Sequence, residues 1–298
     1  MMNKELSSAN IRIKRRSPLG EVWARLKRRP LAMLSLSGII VIFLLAIFAD
    51  VIADYSTRVV QQDVYNKFQT ADSEHWLGTD HLGRDVFGRI IHGTRTALVM
   101  GFGANILTCA IALVLACSCA FFGGKVDLIT MRFVDVLASL PSLVLALAIC
   151  AGLGSGLWQL IIALAVGNIA PITQMFRSSA LAEANKEYME AGKALGASTP
   201  WLIIKYLLPN MLSIILIQLT SYVAINILMG ATLSFIGLGV KAPMPEWGMM
   251  LAEGLQYYTI YPRLVIVPGL VLVFVALCIM TFGDCLRDAF DPKLKGKS

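Results

Sequence analysis

Long uncharged apolar runs, separated by short charged stretches, set the pattern of this chain. The runs cover residues 31–49, 96–124, 136–176, 206–240 and 264–283. A helix needs about 20 residues to cross a hydrocarbon layer of roughly 30 Å, so each run is long enough to span a membrane. The run 136–176 is long enough for two crossings, and Gly152-Leu-Gly-Ser-Gly156 divides it into a helical hairpin. The pattern predicts an all-α membrane protein with six transmembrane helices. Thirty residues precede the first run, and its apolar core exceeds the roughly 7–15 residues of a signal peptide, so it is expected to remain as an anchor. The run 206–240 is longer than one span and ends in a Gly-rich stretch, so a fifth span followed by a broken or re-entrant segment is expected.

Composition agrees. Hydrophobic residues make up 57% of the 298 and charged residues 15%, too little charge to cover a soluble domain of this length. The net charge of +7 does not point to nucleic acid, because the basic residues sit in the tails and alternate loops rather than on one domain face. Of the 26 Lys and Arg residues, 19 fall before the first span, in the second and fourth loops, and after the last span. By the positive-inside rule both termini are cytoplasmic. The resulting division is a tail at 1–30, a first span at 31–53, an outer loop at 54–95, a five-helix core at 96–283 and a tail at 284–298. Within the first tail, residues 20–30 place Val22, Trp23 and Leu26 on one side, as an interfacial helix does. The six cysteines lie in or beside apolar runs without paired spacing and read as small apolar residues.

The inner loop at 178–209 has the local chemistry of helix, turn, helix. Ala, Glu, Lys and Leu favour helix up to Leu195, Gly196 suits a left-handed cap, Thr199 can cap the next helix, and Pro200 suits its first position. Leu181, Tyr188 and Leu195 form one apolar stripe, and the small residues Ala191, Gly192, Ala194 and Ala197 leave low relief for another protein to approach. Glu190-Ala191-Gly192, three residues, Gly196, nine residues, then Tyr206, Leu207, Leu208 and Pro209, resembles the EAA loop of ATP-binding cassette importer permeases. Gly192 replaces the family's second Ala and Tyr206 its Ile.

Three more stretches narrow the resemblance to the C-type permeases of dipeptide, oligopeptide and nickel importers. They are His75-Trp-Leu-Gly-Thr-Asp-His-Leu-Gly-Arg-Asp-Val-Phe-Gly-Arg89 with Gly93, Arg95 and Leu98; Leu233-Ser-Phe-Ile-Gly-Leu-Gly239 with Pro243, Pro245-Glu-Trp-Gly248 and Leu251; and Gly283-Asp-Cys-Leu-Arg-Asp-Ala-Phe-Asp-Pro-Lys293. Gly88 stands where the family usually has Ser. The resemblance implies the type I importer permease fold in the cell inner membrane and no catalysis by this chain. It also implies a paired B-type permease, two ATPase subunits and an extracytoplasmic substrate-binding protein as partners. No cofactor is implied for this chain; ATP and Mg would be bound by the ATPase subunits, whose closure would push the loop at Glu190, Ala191, Gly192, Gly196, Leu208 and Pro209. Di- and oligopeptides are the implied cargo, with nickel or a metal chelate as the alternative.

The remaining polar residues divide between chemistry and packing. Asn105, Asn168, Gln174, Gln218 and Asn226 lie inside spans, where lipid offers them no partners, so they either line a path or bond between helices. Ser234, Gly237, Gly239, Glu246 and Trp247 belong to the broken outer segment, either as a gate or as a packed hairpin. Asp80, Arg84, Asp85 and Arg89 are spaced for a local ion-pair network, and Asp284, Arg287, Asp288 and Asp291 for fixing the inner end of the last span. Pro141, Pro171 and Pro268 are expected to kink their helices. His75, His81 and His92 have no common metal-ligand spacing, and there is no phosphate-binding loop. An ion-driven carrier would need intramembrane carboxylates, whereas Asp50, Asp54, Asp135 and Asp284 all sit at span ends.

Overall fold

A computed structural model describes residues 18–290. Its helices are α1 (Pro18–Leu26), α2 (Pro30–Ile47), α3 (Ala49–Ile52), α4 (Val86–Phe122), α5 (Gly124–Ala138), α6 (Ser142–Leu153), α7 (Leu157–Ala184), α8 (Glu187–Ala194), α9 (Thr199–Leu202), α10 (Leu208–Phe235), α11 (Trp247–Leu255) and α12 (Arg263–Phe290). No strand forms among the described residues. Five segments are long and apolar enough to cross a membrane, and the bent pair α5–α6 makes a sixth if it counts as one span.

Two spans differ from the sequence pattern. The second span, α4, starts at Val86, ten residues before the uncharged run, because Asp85 caps it by accepting from the Gly88 N–H at 2.9 Å. Its early charged residues are tolerated since Arg89 and His92 are buried against partners in the protein. The third span is broken, with an 88° bend between α5 and α6. Pro141 has no N–H and disfavours helix at Leu140 before it, so the chain interrupts there instead of kinking. Pro171 and Pro268 remain inside α7 and α12. The hairpin expected at residues 152–156 forms between Leu153 and Leu157.

The core is built on α4, α7 and α10. Helices in lipid gain little from apolar association, so close packing and interhelical hydrogen bonds decide which faces meet. Asn105 of α4 donates to the carbonyls of Gln218 (3.1 Å) and Leu219 (2.8 Å) on α10. Thr108 donates to the Ala165 carbonyl of α7 at 3.1 Å. Asn168 of α7 donates to Asn226 Oδ1 of α10 at 2.8 Å, and Asn226 in turn donates to the Gly101 carbonyl of α4 at 3.4 Å. Gly101 is required at that crossing, because a Cβ there would sit 2.7 Å from Ile227. α12 packs on α10 and α2 packs on α12.

The amino-terminal α1 folds back onto the end of α12. Val22 and Leu26 are buried with Cys285 and Ala289, while Trp23 is exposed beneath the Lys27 ammonium. The expected common face of Val22, Trp23 and Leu26 therefore divides: the i, i+4 pair packs on protein and Trp23 does not. Arg25 donates to the Ala289 carbonyl at 2.9 Å and Arg29 pairs with Asp288 at 2.5 Å. Residues 1–17 and 291–298, with Asp291 and most of the two expected tails, lie outside the described residues. The six cysteines are buried and free.

Because α4 and α7 run side by side in register, with Gly103 near Ile161 and Thr108 bonded to Ala165, the 54–85 segment and α8 lie at opposite ends of the bundle. Cysteines introduced at Tyr65 (99% exposed) and Leu195 (88% exposed) are expected to react with an impermeant maleimide from opposite faces of sealed vesicles. Labelling of both from one face would refute this topology.

Candidate functional site

At the inner-loop end, α7 continues to Ala184, breaks at Asn185–Lys186 and restarts as α8. The loop helix is thus shorter than its sequence suggests. The residue that seats it is Met189, fully buried against Leu202, Leu207, Phe176 and Cys117. The expected stripe of Leu181, Tyr188 and Leu195 does not pack as one. Leu195 is exposed, and Tyr188 instead donates through its hydroxyl to Glu183 Oε1. Asn210 donates to the Tyr188 oxygen at 3.3 Å, and the Tyr188, Tyr206 and Trp201 rings lie in a row with centroids 5.9 and 5.3 Å apart. Lys193 places its ammonium 5.5 Å from the Phe121 ring at the end of α4.

These contacts hold one side of α8 and leave the other open. Glu190, Ala191 and Gly196 are exposed, and Gly192 is half-buried with its missing Cβ 2.8 Å from Leu202. Leu202 therefore fills the space that an Ala at 192 would share. Gly196 sits at φ +81°, the left-handed cap that the sequence predicts, with open space where a side chain would be. Ser198, not Thr199, occupies the cap position of α9, and it makes no side-chain bond. Pro209 lies at the start of α10, directly after a π-turn at Ile203–Leu207. The wider turn accommodates a proline that has no N–H to donate and whose ring crowds the carbonyl four residues back. Leu208 is half-buried beside it.

At the other end, the expected network forms with one exchange. Asp80 Oδ2 accepts from Arg84 Nε at 2.7 Å and Arg89 Nη1 at 2.6 Å, and both guanidiniums also reach Glu253 Oε2 of α11, at 2.8 and 2.9 Å. Asp85 takes no part in that cluster: it caps α4 and meets His75 Nδ1 at 3.3 Å. Glu253 had one signal in the sequence, as the single charge within the otherwise uncharged nine residues of α11. Burial opposes ionisation of Asp80, but Arg89 and Arg84 outweigh it and hold its carboxyl below the usual range. Burial also pushes the His81 imidazole down, beneath Tyr257. Asp80, His81 and Glu253 offer donor atoms within 4.8 Å of one another, yet both carboxylates are already engaged by arginines. His92 meets the Ala53 carbonyl at 2.8 Å, so each histidine has its own surroundings. Arg263, which the sequence did not single out, donates to the carbonyls of Leu77, Gln69 and Thr79 and ties the outer segment to α12.

The outer-segment candidates are mostly buried. Glu246 caps α11 by accepting from the Gly248 and Met249 N–H groups at 2.9 Å, and burial raises its carboxyl pKa. Trp247 is fully buried and donates to the Ile90 carbonyl at 3.1 Å. Ser234 and Gly239 pack together, and Gly237, at φ +94°, is exposed at the end of α10. Among the intramembrane candidates, Asn105, Asn168 and Asn226 are buried in the interhelical bonds already described. Gln174 is exposed, and Gln218 is buried beside Met175 with its Oε1 unpartnered.

The chain thus folds as a bent-helix bundle that displays a short, firmly seated helix at one end. Residues 110–296 match the binding-protein-dependent transport system inner membrane component family, and residues 17–71 match the N-terminal TM domain of oligopeptide transport permease C. The chain belongs to this family of inner-membrane importer permeases, and within it to the C-type, whose members work with ATPase subunits and a substrate-binding protein. It is 37% identical over 279 residues to the dipeptide transport system permease protein DppC of Alkalihalophilus pseudofirmus, covering 94% of this chain and 91% of the relative. It is 35% identical over 282 residues to the glutathione transport system permease protein GsiD of Escherichia coli, covering 94% and 92%. Its fold is similar to that of the inward-facing MetNI methionine ABC transporter, with a TM-score of 0.53 at 22% identity over 68% of this chain and 96% of that one.

Removing one member of a buried charge network leaves the others unpaired. Asp80→Asn is expected to lower unfolding stability by about 3 kcal/mol. Because the native carboxyl titrates below its unfolded value, its contribution is present above about pH 4 and lost as pH falls through the native pKa. Thermal unfolding in detergent at pH 7 and below pH 4 checks both parts; equal losses at the two pH values would be inconsistent with it.

Proposed function

We propose that this chain is the C-type transmembrane subunit of an ATP-driven importer of di- and oligopeptides, and that α8 is its docking element for an ATPase subunit. The observation that carries the reading is the two-sided arrangement of α8. Met189 and the Tyr188 contacts fix it to the bundle, while Glu190, Ala191 and Gly196 face outward. A loop that only connected two spans would not need so firm a seat. The dipeptide and glutathione permeases among its relatives support a peptide cargo over nickel.

In this reading both termini and α8 are cytoplasmic, and a paired B-type permease completes the path. Two ATPase subunits bind ATP and Mg, and an extracytoplasmic binding protein delivers cargo to the 54–85 end. Closure of the ATPases pushes α8, and the spans turn from inward-facing to outward-facing; hydrolysis resets them. Of the five intramembrane amides, Gln174 is exposed to a solute and Gln218 keeps a buried unpartnered oxygen, whereas Asn105, Asn168 and Asn226 bond between helices.

Gly196→Trp tests the docking surface. A Cβ at this position has open space around it, and the left-handed backbone costs a non-glycine residue about 1–2 kcal/mol, a local cost at an exposed turn that leaves the buried bundle contacts in place, so the bundle should insert and fold. Peptide uptake by cells is expected to fall at least tenfold while the amount of permease in the membrane is unchanged. Normal uptake by that variant would refute the assignment.

A further inference from the structure

The first half of the third span, α5, is held at few points. α5 packs against α7 and α4 and buries a single residue, Val134, while Leu128, Ile129, Phe133 and Val136 are exposed. Its polar anchor is Arg177, two turns before the end of α7. The guanidinium Nε donates to Asp127 Oδ1 at 2.5 Å and Nη2 donates to Oδ2, a parallel fork whose side chains are 27% and 24% exposed. α6, beyond the bend, has its own seat: Gly167 of α7 lies 3.0 Å, measured from an added Cβ, from the Ser142 carbonyl, and Ala146 and Cys150 are fully buried. Arg177 therefore stands on the helix that carries α8, and Asp127 in the first turn of the broken span.

We infer that the Arg177–Asp127 fork is the positioning contact through which the third span follows the coupling loop. The inference rests on the reading of α8 as the docking element. A bidentate guanidinium–carboxylate pair fixes orientation as well as distance, which a single point charge does not. With only Val134 buried, apolar packing gives α5 little else to make it move with α7. The 88° break at residues 139–141 lets α5 turn relative to α6, so motion delivered to α5 changes the angle of the span rather than shifting it whole.

The test uses the assembled transporter in nanodiscs, with spin labels at Phe133 and Ala182, read by EPR without nucleotide and after trapping with ATP and vanadate. With the fork intact the two labels are expected to keep one distance in both states. In Asp127→Asn and Arg177→Gln the trapped state should show a shifted or broadened distance. The exchange Asp127→Arg with Arg177→Asp should restore the single distance, which also separates positioning from a folding defect. Arg177→Lys, which keeps the charge without the fork, should broaden it. Wild-type distances in both single variants, or an exchange no better than they are, would overturn the inference. A second label pair, Ala182 with Trp76, reports whether α7 moves at all. Movement there that survives Gly196→Trp would refute the docking reading, independently of the outcome at the fork.

Discussion

Lipid supplies no hydrogen-bond partners, so a polar group at membrane depth is costly unless it finds one within the protein. That constraint accounts for much of how this chain is arranged. Asn105 spends its amide on two α10 carbonyls, and Asn168, Asn226 and the Gly101 carbonyl link three helices in series. These bonds set the register of α4, α7 and α10 where apolar contact alone would let helices slide. At two of the prolines the backbone changes form: a π-turn precedes Pro209, and the break at Pro141 follows the end of α5. The irregular segment after α10 is tolerated because α11 is packed against α10 and α12, with Trp247 and Glu246 bonded to backbone.

The two ends of the bundle use charge differently. At the 54–85 end, four charges of net zero cluster, three of them buried and Glu253 partly so, and removing one would leave its partners unpaired in a low dielectric. This makes the outer loop, α4 and α11 one body, reinforced by Arg263 and by Phe68 stacked on Tyr261 at 4.3 Å. At the opposite end, pairs such as Arg29 with Asp288 and Lys186 with Glu183 are separate and partly exposed, in contrast to the bidentate Arg177–Asp127 fork. Exposed pairs are individually weak and can be remade. The difference makes the 54–85 end the more rigidly tied of the two.

Much of this was legible in the sequence because membrane length and Gly-Pro punctuation are local signals. The apolar runs, the hairpin at 152–156 and the left-handed Gly196 all follow from residues adjacent in the chain. What was not legible depends on distant partners. The start of α4 at Val86 required charged residues to be neutralised by Glu253, more than 160 positions away. The seat of α8 required choosing Met189 over the stripe through Leu195, and that choice is made by Leu202 and Phe176 from other helices. Spacing alone could not tell whether Asn105, Asn168 and Asn226 line a path or bond between helices, because their partners lie on other helices.

The two departures from the EAA pattern gain a physical meaning from this packing. Gly192 leaves room for Leu202, so the small residue at that position and the large one on α9 are matched within the chain. Tyr206 places its ring between Tyr188 and Trp201, where an aliphatic residue would lack the edge contacts. Both departures therefore lie on the side of the loop that faces its own bundle. The surface presented outward, at Glu190, Ala191 and Gly196, keeps the pattern unchanged. Each departure thus has its partner inside this chain, Leu202 for Gly192 and the Tyr188 and Trp201 rings for Tyr206, so the bundle itself compensates for both.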